Sequence, residues 1–142
     1  MDLLIDTNVV LDMFLEREPF VEMSRRAISL SQKYAVKSFI SASSVTDIYY
    51  IAYRSLKNHQ IVRKHFQTLF KFVGVATVTP KDIHKAFELN WKDFEDSVQY
   101  AVATSNNFDG IVTRNMQGFD GNEVKIFTPE EICKYVEENL KE

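Results

Sequence analysis

Asp6 closes the apolar run Leu3-Leu4-Ile5 and opens the segment Thr7-Asn8-Val9-Val10-Leu11-Asp12. The run is short, rich in branched residues and without polar alternation, as a buried parallel strand is. A carboxylate at the carboxyl end of such a strand sits where open α/β sheets bind their ligands. Further acids recur at expected helix starts: Asp47, then Asp93, Glu95 and Asp96. Several carboxylates returned to one crevice repel one another unless a cation joins them. Hard oxygen donors of this kind suit Mg²⁺ or Mn²⁺ rather than zinc.

Each acid also has a plain structural explanation. Asp6 is able to cap the helix that follows it. Asp12, one turn further on, is expected to face solvent. Asp47 follows Ser44 by three, the spacing of a capping box, so it is either a cap partner or a second-strand carboxylate turned toward Asp6. Asp93 as N-cap with Asp96 three residues later explains that pair too, and acids there gain from the helix dipole. Small residues at Ser97, Ala101 and Ala103 favour a functional Asp96, because a helix bearing them packs close to the sheet and holds Asp96 near the strand ends. After Ile111-Val112-Thr113, Asn115 offers an amide oxygen to a metal or a water, while Asp120 reads as a turn residue before Gly121-Asn122. None of His59, His65 and His84 has metal-ligand spacing with another His or Cys, so all three are expected at the surface or an interface. The lone Cys133 excludes an internal disulfide and a thiolate cluster and reads as a half-buried helix residue.

These side chains need a frame, and strands alternating with helical patterns supply one: βαβ units with a mostly parallel sheet. Strands are expected at 2–6, 36–41, 75–78, 110–113 and 124–127. Helices are expected after Thr7 or Asn8, from Glu18-Pro19, from Ser43 or Ser44 to Leu56, and from Asn58 to about Val73 with Gly74 as its stop. Others run from Thr79-Pro80 to about Asn90, from Asp93 onward, and from the capping box Thr128-Pro129-Glu130-Glu131.

At 142 residues the chain is expected to form a single domain, 1–142, with a substantial core. Its start lacks the basic and apolar segments of a signal peptide, and no stretch approaches the roughly 20 apolar residues that cross a bilayer. A cytoplasmic protein with no membrane contact is the expectation. The formal net charge of −3 argues against nucleic-acid binding by bulk attraction. Its distribution argues otherwise: from Ile48 to Lys81 there is no Asp or Glu, while Arg54, Lys57, Arg63 and Lys64 fall there among six aromatic residues. That stretch is either a pair of helices with solvated basic faces or a phosphate-contacting surface.

Four segments together resemble the PIN-domain family of metal-dependent ribonucleases, in particular its VapC-like toxin branch. They are Leu3 to Asn8, Ile40 to Tyr50, Asp93 to Ala101, and Ile111 to Asn115 with Phe119. They stand in the family's order and spacing across nearly the whole chain. The resemblance implies a three-layer α/β/α domain with a carboxylate cluster holding one or two Mg²⁺ or Mn²⁺ ions. It also implies hydrolysis of RNA to a 5′-phosphate and a 3′-hydroxyl. Asp6 and Asp96 match the first and third acids, and Asp93 an additional acid of this branch. The second acid is usually Glu and here is Asp47, whose carboxylate reaches about 1.5 Å less far. The fourth, usually in the loop after Thr113-Arg114, is replaced by Asn115 or Gly118, which removes a charge from the site. Catalytic roles are therefore expected for Asp6, Asp47, Asp93 and Asp96, metal contacts for Asp6, Asp96, Asp47 and Asn115, and RNA contacts for Arg54, Lys57, Arg63, Lys64 and Arg114. A toxin of this kind implies an antitoxin partner, and the family and the aromatic helices together imply a homodimer. The replaced fourth acid keeps a rival reading open, a PIN-like RNA- or protein-binding module with weakened or lost catalysis. An aspartyl phosphotransferase is disfavoured, because Asn8 stands where a second Asp would be needed.

Overall fold

The computed structural model describes residues 1–142. Five strands, β1 (Asp2–Ile5), β2 (Lys37–Ser41), β3 (Val73–Ala76), β4 (Gly110–Val112) and β5 (Lys125–Phe127), form one sheet in the order β3-β2-β1-β4-β5. Every pairing is parallel. Leu3, Leu4 and Ile5 are all fully buried in the central strand. Leu3 and Ile5 belong to the larger core and Leu4 to the smaller one. That is the two-sided burial implied by an apolar run without alternation.

The larger core joins the sheet to α1 (Thr7–Phe14), α2 (Val21–Ile28), α3 (Ala42–Leu56), α4 (His59–Leu69) and α7 (Pro129–Asn139). The smaller core joins the other face to α5 (Pro80–Leu89) and α6 (Phe94–Ser105). The result is the expected three-layer sandwich. The chain moves outward from β1 to β2 and β3, then crosses back to β4 on the other side of β1. The carboxyl ends of β1 and β4 therefore flank the point where strand order reverses, which opens a crevice there.

Several local expectations shift. Helix α4 stops at Leu69, and Gly74 lies inside β3, where a side chain would meet the Phe39 ring at 3.0 Å. Close packing, not a helix stop, selects that glycine, and β3 begins two residues earlier than its apolar pattern suggested. Helix α2 begins at Val21, because the carbonyl of Arg17 takes the amides of both Phe20 and Val21 in a preceding turn. The cap of α3 is Ser41, whose hydroxyl accepts from the Ser44 amide at 3.2 Å. Asp47 consequently falls outside any capping box, in the second turn of α3, and is exposed. Thr79 with Asp82 and Thr128 with Glu131 form complete capping boxes with proline in the first turn. No helix is long and apolar enough to cross a membrane.

Candidate metal and nucleic-acid site

Asp6 stands one residue beyond the end of β1 and is 3% exposed. Its amide donates to the Val112 carbonyl at 2.9 Å, which locks the ends of β1 and β4 side by side. Both carboxylate oxygens are held. Oδ1 accepts from the Thr7 amide at 2.8 Å and from Gln99 Nε2 at 3.1 Å, and Oδ2 accepts from the Thr113 hydroxyl at 2.7 Å. The capping role and the crevice role thus coincide. Thr113 is itself fixed by the Asn115 amide, which donates to its hydroxyl at 3.0 Å.

Helix α6 supplies the second buried acid. Asp93 is its N-cap and accepts from the Asp96 amide at 3.1 Å. Ser97, Ala101 and Ala103 are fully buried, so the helix lies close to the sheet as its small residues implied. This brings Asp96 to the crevice. Burial raises the Asp96 carboxyl to about 7, and the negative charges of Asp6, Asp93 and Glu95 add to the rise. Two acids at such a site resist joint ionisation unless a cation is supplied.

Four buried side-chain polar atoms in the chain have no hydrogen-bond partner: Thr7 Oγ1, Ser38 Oγ, Asp96 Oδ2 and Gln99 Oε1. Three of these four belong to residues gathered around Asp6. Buried polar atoms are nearly always partnered, so three unpartnered oxygens on residues around Asp6 leave acceptor capacity that a cation or a water would fill. Oxygen donors with surplus negative charge fit a hard divalent cation. As the side chains stand, no three His, Cys, Asp or Glu residues close on a common point. The fit therefore rests on Asp6 and on Asp96 with its orphaned Oδ2.

Gly118 explains part of this geometry. A Cβ at that position would lie 2.1 Å from Asp96 Oδ2 and 2.8 Å from Asn115 Nδ2. The loop backbone thus closes directly over the orphaned oxygen, and Asn115 flanks it. Asp96, Asn115 and Gly118 line a cleft of about 960 Å³ together with Trp91, Asp93, Phe94 and Asp120. Asp120, expected as a turn residue, borders the same cleft.

Asp47 and Asp93 stand further out. Asp47 does not figure among the charges acting on Asp96, but it acts on Glu95. The Glu95 carboxyl is raised first by partial desolvation, then by Asp6, Asp47 and Asp93, with Thr7 opposing the rise. Thr7 opposes the rise more than any single charge adds to it, although its hydroxyl forms no hydrogen bond of good geometry. Glu95, which the sequence explained by the helix dipole alone, feels the charges of both Asp6 and the exposed Asp47 and Asp93. Gln99 was missed as well. Its position three residues after Asp96 places both on one face of α6, which was the available signal.

One expectation is corrected on the other side of Thr113. Asp12 does not face solvent; it is fully buried. Arg114 Nε donates to Asp12 Oδ2, and Arg114 Nη2 donates to Asp12 Oδ1 at 3.1 Å. Ser24 adds a bond at 3.1 Å and Arg17 an ion pair at 3.8 Å. The Arg114 guanidinium also lies 3.9 Å from the Phe20 ring centroid. Arg114 is therefore anchored to the fold through a two-pronged carboxylate contact, with its side chain 27% exposed. Arg54, Lys57, Arg63 and Lys64 are all exposed on α3, α4 and their junction. Arg54 follows the Ser41 cap by thirteen residues, about 20 Å along the helix at 1.5 Å per residue, so this basic surface is separate from the crevice.

The chain matches the PIN domain family model over residues 2–117. It is 26% identical over 138 residues to Ribonuclease VapC1 of Aquifex aeolicus (strain VF5), covering 92% of each chain. Its fold is similar to that of VapBC2 from Rickettsia felis, solved with a DNA fragment from their promoter (TM-score 0.72, 13% identity, 90% of this chain and 98% of that one). It is also similar to a toxin-antitoxin complex from Klebsiella pneumoniae (TM-score 0.67, 19% identity, 89% and 97%). A third similar fold is VapC20 of Mycobacterium tuberculosis, a Sarcin-Ricin loop cleaving toxin (TM-score 0.62, 16% identity, 85% and 92%). The match spans β1 through the loop after β4, the segments that carry Asp6, Asp47, Asp96 and Asn115, and with it this chain belongs to the PIN-domain family.

Proposed function

We propose that this chain is a divalent-metal-dependent endoribonuclease and the toxin of a toxin–antitoxin pair. The observation that carries the reading is the Asp6–Asp96 pair at the strand-order reversal, with orphaned oxygens around it. Asp6 and Asp96 would hold Mg²⁺ or Mn²⁺. Such an ion supplies an activated water and stabilisation of the leaving oxygen during phosphodiester hydrolysis. Gln99 and Thr113 fix the Asp6 carboxylate, so its orientation is set before substrate arrives. Asp47, Asp93 and Glu95 deepen the negative potential at the crevice mouth. Asn115 would orient a substrate phosphate or a water with its amide. Arg54, Lys57, Arg63 and Lys64 would position RNA by phosphate contacts that read no sequence.

The named relatives support an antitoxin as protein partner. Tyr50, Ile61 and Phe70 are exposed on and beside α3 and α4, which supports a homodimer through these helices. A second reading, a binding module with weakened catalysis, is favoured by Asn115 and Gly118, neither of which supplies an acid. Incubating single-stranded RNA with the protein in Mn²⁺ and in EDTA separates the two. Cleavage in Mn²⁺ alone, leaving 5′-phosphate ends, supports the nuclease. Binding without cleavage in Mn²⁺ or Mg²⁺ supports the second reading and overturns the first.

A further inference from the structure

The cleft beside Asp96 has an unusual lining for a protein-binding groove. Its two hydrophobic members, Trp91 and Phe94, are both aromatic, and no aliphatic side chain borders it. The remaining wall is polar, with Asn90, Asn115 and Gln117 as amides, Lys92 as the one cation, and Asp93, Asp96 and Asp120 as acids. Phe94 is 42% exposed and pairs with Phe87, which is 67% exposed, at 4.5 Å between ring centroids and an angle of 41°. Neither ring belongs to a core cluster. Two large aromatic rings held together in water, at the rim of a polar cleft, invite a planar partner.

We propose that Phe87 and Phe94 form a stacking platform for an unpaired nucleobase of the substrate RNA, next to the Asp6–Asp96 site. The inference rests on the ribonuclease reading and adds to it a base-binding subsite outside the acid cluster. A base offers the platform a π-face, and its edge bears donors and acceptors for the amides of the cleft wall. Lys92 offers a cation to the adjoining phosphate, which the acids of the crevice would otherwise repel. The apolar face of a partner helix would present aliphatic side chains to amides, a lysine and three carboxylates, and so fits the cleft poorly. Continuity completes the argument, because Phe94 and Asp96 line one cleft. A base stacked on Phe94 places its own backbone beside Asp96.

The test uses the full-length protein with Ca²⁺ replacing Mg²⁺ and two probes: a single-stranded oligoribonucleotide carrying 2-aminopurine, and the same oligonucleotide annealed to its complement. Wild type should bind the single strand more tightly than the duplex and change its fluorescence. Phe87→Ala and Phe94→Ala should each weaken single-strand binding by about tenfold, with duplex binding and thermal unfolding unchanged. Phe94→Trp should restore the affinity. A double alanine variant that binds the single strand within twofold of wild type overturns the platform while leaving the nuclease reading intact. A double variant that keeps its RNA affinity but loses self-association in light scattering assigns the face to a second copy, which also overturns it. If wild type binds neither probe, the ribonuclease reading itself fails and the platform with it.

Discussion

Thr113 and Asp6, 107 positions apart in the chain, meet through a 2.7 Å hydrogen bond in which the threonine hydroxyl donates to Asp6 Oδ2. The bond spans the two strands that flank the strand-order reversal, and Gln99 on α6 secures the other oxygen at 3.1 Å. Three elements from distant parts of the sequence thus fix one carboxylate. Asp96, from the same helix as Gln99, has no comparable partner for its Oδ2. One acid is held and the other is left wanting, and the first predictions follow from that asymmetry.

The raised Asp96 carboxyl makes stability depend on pH. In the unfolded chain the group ionises near 3.8, and in the fold near 7. Between these values the folded state keeps a proton that the unfolded state has released. Stability therefore declines as pH rises through that window and levels off above about 7. Glu95, also raised, contributes with the same sign. In EDTA, urea midpoints should fall between pH 4.5 and 7.5, conditions chosen to span that range. Asp96→Asn should flatten the decline and exceed wild type at the upper end. Parallel profiles for the two proteins would show that Asp96 is not the group responsible.

The Asp12–Arg114 pair is expected to support the fold, not to contact RNA. Arg114→Ala leaves a fully buried carboxylate with only Ser24 and the 3.8 Å Arg17 contact. Breaking a buried pair in this way costs about 3–5 kcal/mol. The remaining partners place the expected loss toward the lower figure. Denaturant unfolding measures it. Unchanged stability with weakened RNA binding would return Arg114 to the nucleic-acid surface.

The basic surface of α3 and α4 should carry much of the RNA affinity, because the crevice itself repels phosphate. Replacing Arg54, Lys57, Arg63 and Lys64 with Gln should weaken single-stranded RNA binding. For every phosphate that one of these side chains neutralises, its replacement should reduce the slope of log K against log salt by about 0.7. Mn²⁺ affinity should be unaffected, since these residues lie a helix length from the crevice. An unchanged salt slope would make this face a solvated or self-associating surface.

The sheet, its parallel character and several of the helix starts were legible because they rest on local signals. Leu3-Leu4-Ile5 reports two-sided burial, and Thr79-Pro80 and Thr128-Pro129 report caps. Asp6 and Asp96 were legible because each follows a strong local signal, a strand end and a helix start with small residues behind it. Gly74 was misread because a glycine after a helical pattern looks alike whether it ends a helix or fits beneath Phe39. Asp12 was misread because its partner, Arg114, lies 102 residues away, and no local pattern announces such a pair. Gln99 escaped notice for the same reason, since its bond to Asp6 spans 93 residues. Side chains that act across the sheet become visible only when the sheet is built.

The account turns on Asp6 and Asp96 sharing a divalent ion, and anomalous scattering from crystals soaked in Mn²⁺ tests it most directly. The account predicts a peak in the crevice within coordination distance of Asp96 and Asp6, and its disappearance in Asp96→Asn crystals soaked identically. A peak that persists in the variant, or Mn²⁺ bound only away from both carboxylates in crystals that cleave RNA, would contradict it.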